Sequence, residues 1–187
     1  MVINTILDEF NLVAQELFKK NFLSIGLGSI SLKLKADQMI INKKNRHYSE
    51  EDFYKKLHIL REDMAWEEAS EDVKIHSQIY KENSNIKAVA YIVSLNVMTF
   101  AEIHHNSLNP IDFIGKTHLG KIPIIEIGNL QEWEENREFI IAKNLKKSNV
   151  LIIKGLGVYI QTRDIREIIK TAVILDNSAS ILLNSHL

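Results

Sequence analysis

Ser70, Glu71 and Asp72 lie where the chain could bind a small anion. They stand at the start of the segment ASEDVKIHSQIY, whose apolar residues have helical spacing. A helix N-terminus carries free N–H groups and partial positive charge, so it suits a phosphate or a carboxylate. Ser70 could equally be an N-cap, and the two acids could simply complement the helix dipole. The segment therefore predicts a helix start, and both interpretations of Ser70 stay open.

The glycine-containing stretch GLGSIS is a second candidate for contact with an anion. Gly28 and Ser29 could offer a backbone and a hydroxyl donor. A phosphate-binding loop would, however, offer more donors than this stretch contains. Gly26 and Gly28 also suit a tight turn. Gly28 and Ser29 are retained as candidate substrate- or anion-binding residues beside that simpler interpretation.

The histidines are the natural starting point for a metal site, because the chain contains no cysteine. His104 and His105 are adjacent near a predicted helix end, so their side chains diverge by about 100° and do not readily chelate one ion. His47 and His118 lie in predicted loops, and a metal site built from such residues stays an alternative. His76 lies within a predicted helix, where a hydrogen-bonded structural role is the simpler interpretation.

The overall charge gives no support to nucleic-acid binding. The chain has 23 basic and 24 acidic residues and a net charge of -1, whereas nucleic-acid-binding domains usually carry a basic excess. No apolar run approaches the roughly 18 residues of a transmembrane helix. The N-terminal MVINTILDEF has acids where a signal peptide would be apolar. We expect a cytoplasmic protein that binds neither nucleic acid nor a membrane.

Helical periodicity marks the elements that would position these side chains. The apolar residues Ile6, Phe10, Val13 and Leu17 predict a first helix that ends before the glycine turn. Further helices are predicted to start at Ser49 in SEED, at the Ser70 segment, and after Thr162 or Asp164. Two others are predicted around residues 97–103 and about residues 131–147.

Strand patterns alternate with the helical ones. Ile30, Leu32 and Leu34 alternate with polar residues, which predicts a half-exposed strand with residues 37–45 as its hairpin partner. Continuous apolar runs predict buried strands at residues 88–93, 121–127 and 149–154. This interleaving predicts an α/β (α+β layered) fold with a central β-sheet flanked by helices. Two prolines and seven glycines leave no linker, so residues 1–187 are interpreted as one domain.

Four stretches, in this order, resemble the class II aldolase/adducin family, which includes the fuculose- and ribulose-phosphate aldolases. They are GSIS (28–31), SEDVKIHSQIY (70–80), YIVS (91–94) and GLGV (155–158). They match the family's Gly-Asn-x-Ser, its Ser-Glu helix start with later His and Tyr, its His-x-His-Ser and its Asn-His-Gly-Val. The order and the flanking elements agree over nearly the whole chain.

The resemblance implies a divalent metal, usually zinc, bound by three histidines at these motifs. This chain has Tyr91, Val93 and Leu156 at the three positions, so no metal cofactor is expected. The resemblance also implies a catalytic acid/base at Glu71 and a phosphate-holding asparagine where this chain has Ser29. In the family, the metal is the Lewis acid that stabilises an enediolate, so its loss would remove aldol cleavage.

The resemblance thus leads to two hypotheses. The first is a degenerate, metal-free family member that acts as a binding or structural module, with a residual pocket for a phosphorylated or carboxylated small molecule. The alternative is an active sugar-phosphate aldolase or isomerase, with a relocated metal or a metal-independent mechanism that uses Glu71. The resemblance further implies a homo-oligomer, with a tetramer as the family's usual assembly.

Overall fold

The strands of the protein form one mixed sheet of eight. The computed structural model describes residues 2–185, apart from the side chains of residues 2–4. Its strands are β1 (Ser29–Lys35), β2 (Gln38–Asn42), β3 (Tyr54–His58), β4 (Ala88–Ile92), β5 (Ser107–Leu108), β6 (Ile122–Ile125), β7 (Val150–Ile153) and β8 (Gly157–Thr162). Their order is β3-β2-β1-β4-β8-β7-β6-β5, and only the β6–β7 pair is parallel among them.

Helices cover both faces of this sheet, which confirms the predicted fold class. They are α1 (Val2–Lys19), a 3₁₀ helix (Met64–Glu68), α2 (Val73–Glu82), α3 (Leu95–Ile103), α4 (Phe113–His118), α5 (Leu130–Leu145) and α6 (Arg166–Asn184). Helices α1, α3 and α6 pack on one face, while α2, α5 and the 3₁₀ helix pack on the other. No helix within residues 2–185 is long and apolar enough to span a membrane.

The three central strands set three site residues side by side. Ser29 of β1 is paired with Tyr91 of β4, and Tyr91 is paired in turn with Tyr159 of β8. Strand β4 is buried on both faces: Ala88, Ala90 and Ile92 join the core beneath α1, α3 and α6, whereas Val89 and Tyr91 join the core beneath α2 and α5. Because strand side chains alternate between faces, Ser29, Tyr91 and Tyr159 all face α2.

The predicted helix at SEED is wrong. Residues 49–52 form turns, and the chain then enters β3, which pairs with β2. The acidic side chains there contact other residues instead of a helix N-terminus. The Glu50 carboxylate accepts a hydrogen bond from the His47 backbone N–H at 2.7 Å, and Asp52 forms an ion pair with Lys43 at 3.0 Å. Sheet pairing and these contacts outweigh the helix-start signal, which is a weak preference.

Strand β1 also differs from its prediction. It is not half-exposed along its length, because Ser29 and Ser31 on its polar face are completely buried beneath α2. Strand β8 was not predicted as a separate strand, since the sequence analysis led from GLGV directly towards the last helix. Strand β8 is buried on both faces, which removes the polar–apolar alternation that sequence patterns depend on. Strand β1 keeps the alternation, but its two serines are buried because they hydrogen-bond to His76 of α2.

Gly157, at the start of β8, is required for the close approach of β8 to β4. A Cβ at this position would lie 2.7 Å from the Ile92 carbonyl oxygen and 2.7 Å from Cε2 of Tyr91. We expect Gly157→Ala to lower the free energy of unfolding by about 1–3 kcal/mol, the usual cost of overpacking. Urea denaturation would measure it. Gly128→Ala is the control, because a Cβ there meets no atom within 4 Å. Equal stability of the two variants would contradict the prediction.

Candidate functional site

A cavity of about 230 Å³ opens at the end of β4. Its walls come from four places in the chain: the loop before β1, the loop after β2, the segment before α2, and the turn between β7 and β8. The remaining wall is formed by Asn42 of β2, Tyr91 of β4 and Arg137 of α5. The lining residues are Ser24, Gly26, Leu27, Gly28, Asn42, Lys43, Lys44, Asn45, Arg46, Ser70, Glu71, Asp72, Tyr91, Arg137 and Leu156.

Three of the four predicted site residues line this cavity. Gly28, Ser70 and Glu71 contribute to its walls, and Glu71 is exposed at the rim. Ser29 does not line it: its side chain is fully buried behind the wall, where its hydroxyl donates to Asp72. Helix α2 begins at Val73, whose N–H donates to the Ser70 carbonyl. The Ser70 hydroxyl accepts only a long 3.5 Å hydrogen bond from the Asp72 N–H.

Asp72 is the carboxyl group that the sequence analysis undervalued. It is half-buried at the start of α2, and it accepts hydrogen bonds from the Tyr159 hydroxyl at 2.9 Å and the Ser29 hydroxyl at 3.0 Å. Desolvation raises its pKa above the ordinary value, against the opposing effects of both hydroxyls and of Arg137. Its spacing of four residues before His76 places both side chains on one helix face, which was the available signal.

Tyr91 and Leu156 contact each other in the cavity wall, where Asp72 also lies. The Tyr91 hydroxyl donates to the Leu156 carbonyl oxygen at 2.9 Å, and the Tyr91 ring stacks on Tyr159 with the centroids 4.9 Å apart. Val93 and Leu156 are partly buried and pack against the same core. Two of the three positions at which the resemblance implies histidines, Tyr91 and Leu156, are therefore in contact, and Val93 follows Tyr91 on the same face of the sheet.

These side chains do not fit a divalent metal. Zinc takes imidazole, thiolate or carboxylate ligands, and Val93 and Leu156 carry no donor atom. Burial raises the pKa of Tyr91 to about 12, so its hydroxyl stays protonated and is committed to the Leu156 carbonyl. Across the described part of the chain, no three His, Asp or Glu side chains are grouped so that they could hold a metal ion.

The histidines are dispersed, including His47 and His118, from which an alternative metal site could have been built. His105 contacts Glu126 and Lys154, His104 stacks on Phe100, and His47 lies between two aromatic rings. His118 lines a separate cavity with residues of β7 and β8. His76 is completely buried and hydrogen-bonded to Ser29 and Ser31, which confirms its structural role.

Four cations line the cavity, but two of them have carboxylate partners. Lys43 pairs with Asp52 and Glu68, each at 3.0 Å, and Arg46 pairs with Glu50 at 2.8 Å. Lys44 makes no ion pair within the described residues, and Arg137 approaches only Glu134, at 3.7 Å. Lys44 and Arg137 are therefore the cations that can contact a bound anion.

Comparisons with known proteins agree with this architecture. The family model described as "Class II Aldolase and Adducin N-terminal domain" matches residues 9–183. A search of curated proteins finds no match. The structure superimposes on L-fuculose-1-phosphate aldolase from Thermus thermophilus with a TM-score of 0.81 and 19% identity, covering 95% of this chain and 93% of that one.

Two further solved structures have the same fold. YgbL from Escherichia coli, described as "a putative aldolase/epimerase/decarboxylase", matches with a TM-score of 0.80 and 16% identity over 98% of this chain and 90% of its own. A sugar-phosphate aldolase from Thermotoga maritima matches with a TM-score of 0.72 and 17% identity, over 98% and 96%. The family model matches most of the chain, and the solved structures share its fold. The chain belongs to the class II aldolase and adducin N-terminal domain family.

Proposed function

We propose that this protein is a metal-independent member of its family that binds a small phosphorylated or carboxylated molecule. One observation carries the proposal: the hydrogen bond from Tyr91 to the Leu156 carbonyl joins two of the positions at which metal ligands are expected, and the Tyr159 ring supports it. A metal ion in that place would have to displace a buried, hydrogen-bonded aromatic pair. The residues present offer no ligand in exchange.

The family's aldol chemistry is therefore not supported by these residues. That chemistry needs a Lewis acid to stabilise the enediolate, and a metal contributes several kcal/mol there. Each ~1.4 kcal/mol lost from the barrier stabilisation is a tenfold loss of rate. A carboxylate such as Glu71 can move a proton but cannot replace the positive charge. Binding is the function that the remaining groups can perform.

The cavity suits a small anion. Its volume of about 230 Å³ lies below the roughly 300–1,000 Å³ of typical drug-sized sites. Lys44 and the Arg137 guanidinium supply positive charge, and an arginine can bind a phosphate or carboxylate through two parallel hydrogen bonds. These features favour a compact phosphate or carboxylate ligand.

A binding experiment tests this proposal. We expect inorganic phosphate or a short sugar phosphate to raise the melting temperature, and Arg137→Gln to weaken that binding about tenfold or more, because a hydrogen bond to a charged group is lost. Arg61→Gln, in an exposed loop outside the cavity, is the matched control and should bind as the unmodified protein does. If no phosphate or carboxylate compound shifts the melting temperature, or if both variants bind equally, the pocket does not bind anions.

Elemental analysis separates the proposal from the alternative of an active enzyme. The observation that favours the alternative is the position of Glu71, which is exposed within the cavity wall. Stoichiometric zinc, manganese or iron in the purified protein would support a relocated metal. Carbon–carbon bond cleavage that survives chelators and is lost in Glu71→Gln would support a metal-independent lyase. Either result would replace the binding function proposed here.

Assembly and location are proposals of the same kind. We infer a homo-oligomer, with a tetramer as the expected form, from family membership. Light scattering at several protein concentrations would measure it, and a monomer at all concentrations would contradict it. A cytoplasmic location is proposed because the cysteine-free composition suits a reducing compartment.

A further inference from the structure

A single file of hydrogen-bonding groups runs inward from Asp72. Ser29 Oγ lies 3.0 Å from Asp72 Oδ2 and 2.9 Å from His76 Nε2. On the other side of the ring, His76 Nδ1 lies 2.7 Å from Ser31 Oγ, which lies 2.8 Å from the Tyr80 hydroxyl. The Tyr80 hydroxyl donates to the Lys87 carbonyl oxygen at 3.3 Å. Ser29, Ser31, His76 and Tyr80 are all buried.

The four side chains between Asp72 and the Lys87 carbonyl supply one hydrogen fewer than the file has hydrogen-bond contacts. Five contacts join the six groups, and each contact needs one hydrogen. A hydroxyl carries one hydrogen and a neutral imidazole carries one, so Ser29, His76, Ser31 and Tyr80 supply four. The fifth must be a proton on Asp72 or a second proton on His76. Burial lowers the pKa of His76 to about 3, which excludes the second choice at neutral pH.

Two arrangements of hydrogens are therefore open to the file. With Asp72 protonated, every donor points away from it: Asp72 to Ser29, Ser29 to Nε2, Nδ1–H to Ser31, Ser31 to Tyr80, and Tyr80 to the Lys87 carbonyl. With Asp72 ionised, every donor points towards it, so His76 must carry its hydrogen on Nε2. Tyr80 then donates to Ser31 and gives up the Lys87 carbonyl, which is the longest contact of the five.

We propose that the Asp72–Ser29–His76–Ser31–Tyr80 file is a proton-linked relay in which the tautomer of His76 reverses whenever Asp72 gains or loses a proton. The relay couples the wall of the cavity to a fully buried imidazole two hydrogen bonds away. A change of protonation at the cavity thus reaches the Lys87 carbonyl, at the start of β4. The inference depends on this hydrogen-bond geometry and on the complete burial of His76, and it stands whether or not the cavity binds an anion.

The groups facing Asp72 decide at what pH the relay reverses. From β8, the Tyr159 hydroxyl donates to Oδ1, and from β1 the Ser29 hydroxyl lies 3.0 Å from Oδ2. Arg137 of α5 favours the ionised carboxyl, whereas neighbouring Glu71 favours the protonated one. Tyr91 of β4 is a protonated phenol stacked on Tyr159. A phosphate near Arg137 would favour the protonated state.

Nuclear magnetic resonance tests the relay directly. The ring nitrogen shifts of His76 identify its tautomer, and the Asp72 carboxyl carbon shift gives its protonation state, from about pH 4 to pH 9. We expect the Nδ1–H tautomer whenever Asp72 is protonated and the Nε2–H tautomer whenever it is ionised. If both change with pH, they should share one midpoint. An ionised Asp72 beside an Nδ1–H imidazole, or an imidazolium, would overturn the relay.

Three substitutions separate coupling from simple packing. Asp72→Asn should fix the Nδ1–H tautomer at every pH, because Tyr159 holds the amide oxygen and the amide nitrogen then donates to Ser29. Ser29→Ala should leave one tautomer that no longer follows Asp72. Tyr159→Phe is the control: losing a donor should raise the midpoint while both groups still change together. A tautomer in Asp72→Asn that follows pH, or one in Ser29→Ala that still follows Asp72, would refute the relay.

Discussion

Between pH 6.5 and pH 3, the protein should lose up to about 5 kcal/mol of its free energy of unfolding through the single side chain of His76. The imidazole is completely buried, and desolvation lowers its pKa from 6.5 to about 3. In the unfolded chain, it accepts a proton as the pH falls through 6.5. In the folded chain it does not, so the unfolded state binds more protons and is increasingly favoured.

The sign of the effect distinguishes His76 from a surface histidine. Its contribution to stability is fully present above pH 6.5 and is lost as the pH falls towards 3. Urea denaturation at several pH values would measure this loss. Carboxylates with lowered pKa values, such as Asp37 and Glu68, add their own acid sensitivity. The protein must therefore be compared with a His76 variant, in which those contributions are unchanged.

His76→Asn supplies that comparison. The variant should be less stable at pH 7, since Ser29 and Ser31 lose a hydrogen-bond partner, but its stability should fall less steeply between pH 6.5 and pH 3. His118→Asn, at an exposed position, should follow the curve of the unmodified protein. Parallel curves for His76→Asn and the unmodified protein would show that His76 titrates normally.

The triple variant Tyr91→His, Val93→His, Leu156→His should bind one zinc ion per chain, whereas the unmodified protein should bind none at this place. Tyr91 already contacts the Leu156 carbonyl, and Val93 packs against the same core as these two side chains. Three imidazoles are a ligand set that zinc accepts. At a zinc concentration 100 times the Kd, binding should stabilise the variant by about 2.7 kcal/mol.

Elemental analysis after dialysis, together with thermal unfolding with and without zinc, would measure both effects. The double variant Tyr91→His, Val93→His lacks the third ligand and should bind zinc far more weakly. A triple variant that unfolds cooperatively but takes up no zinc would show that the three positions do not converge on one ion. Stoichiometric zinc at this place in the unmodified protein would refute the proposed loss of the metal site.

Sequence patterns predicted the architecture better than they predicted the site. The helices after Ser94 and around residues 131–147 form nearly as expected, since their apolar spacing or caps are local signals. The helix at SEED and the omission of β8 were errors in segments whose structure depends on sheet pairing. A local sequence pattern does not indicate which distant strand will pair with a given segment.

Sequence patterns indicated less about which carboxyl group of the candidate site faces inward. The family pattern directed attention to Glu71, which the structure places at the exposed rim, while Asp72 faces inward to Tyr159 and Ser29. The pairing of Tyr91 with Tyr159 could not be predicted, because β8 had not been recognised as a strand. The roles of Lys44 and Arg137 were likewise unseen, since they depend on which other cations already have acidic partners.

Because β4 is buried on both faces, substitutions within this strand should have different consequences from substitutions in the cavity walls. Apart from Tyr91 and Asn42, the cavity walls are built from connecting segments and helix positions outside the sheet's interior. Substitutions in those walls can alter what is recognised while the packed layers keep their contacts. Substitutions within β4 disturb two hydrophobic layers at once. Ligand preference can therefore drift rapidly on this scaffold, whereas its central strands tolerate little variation.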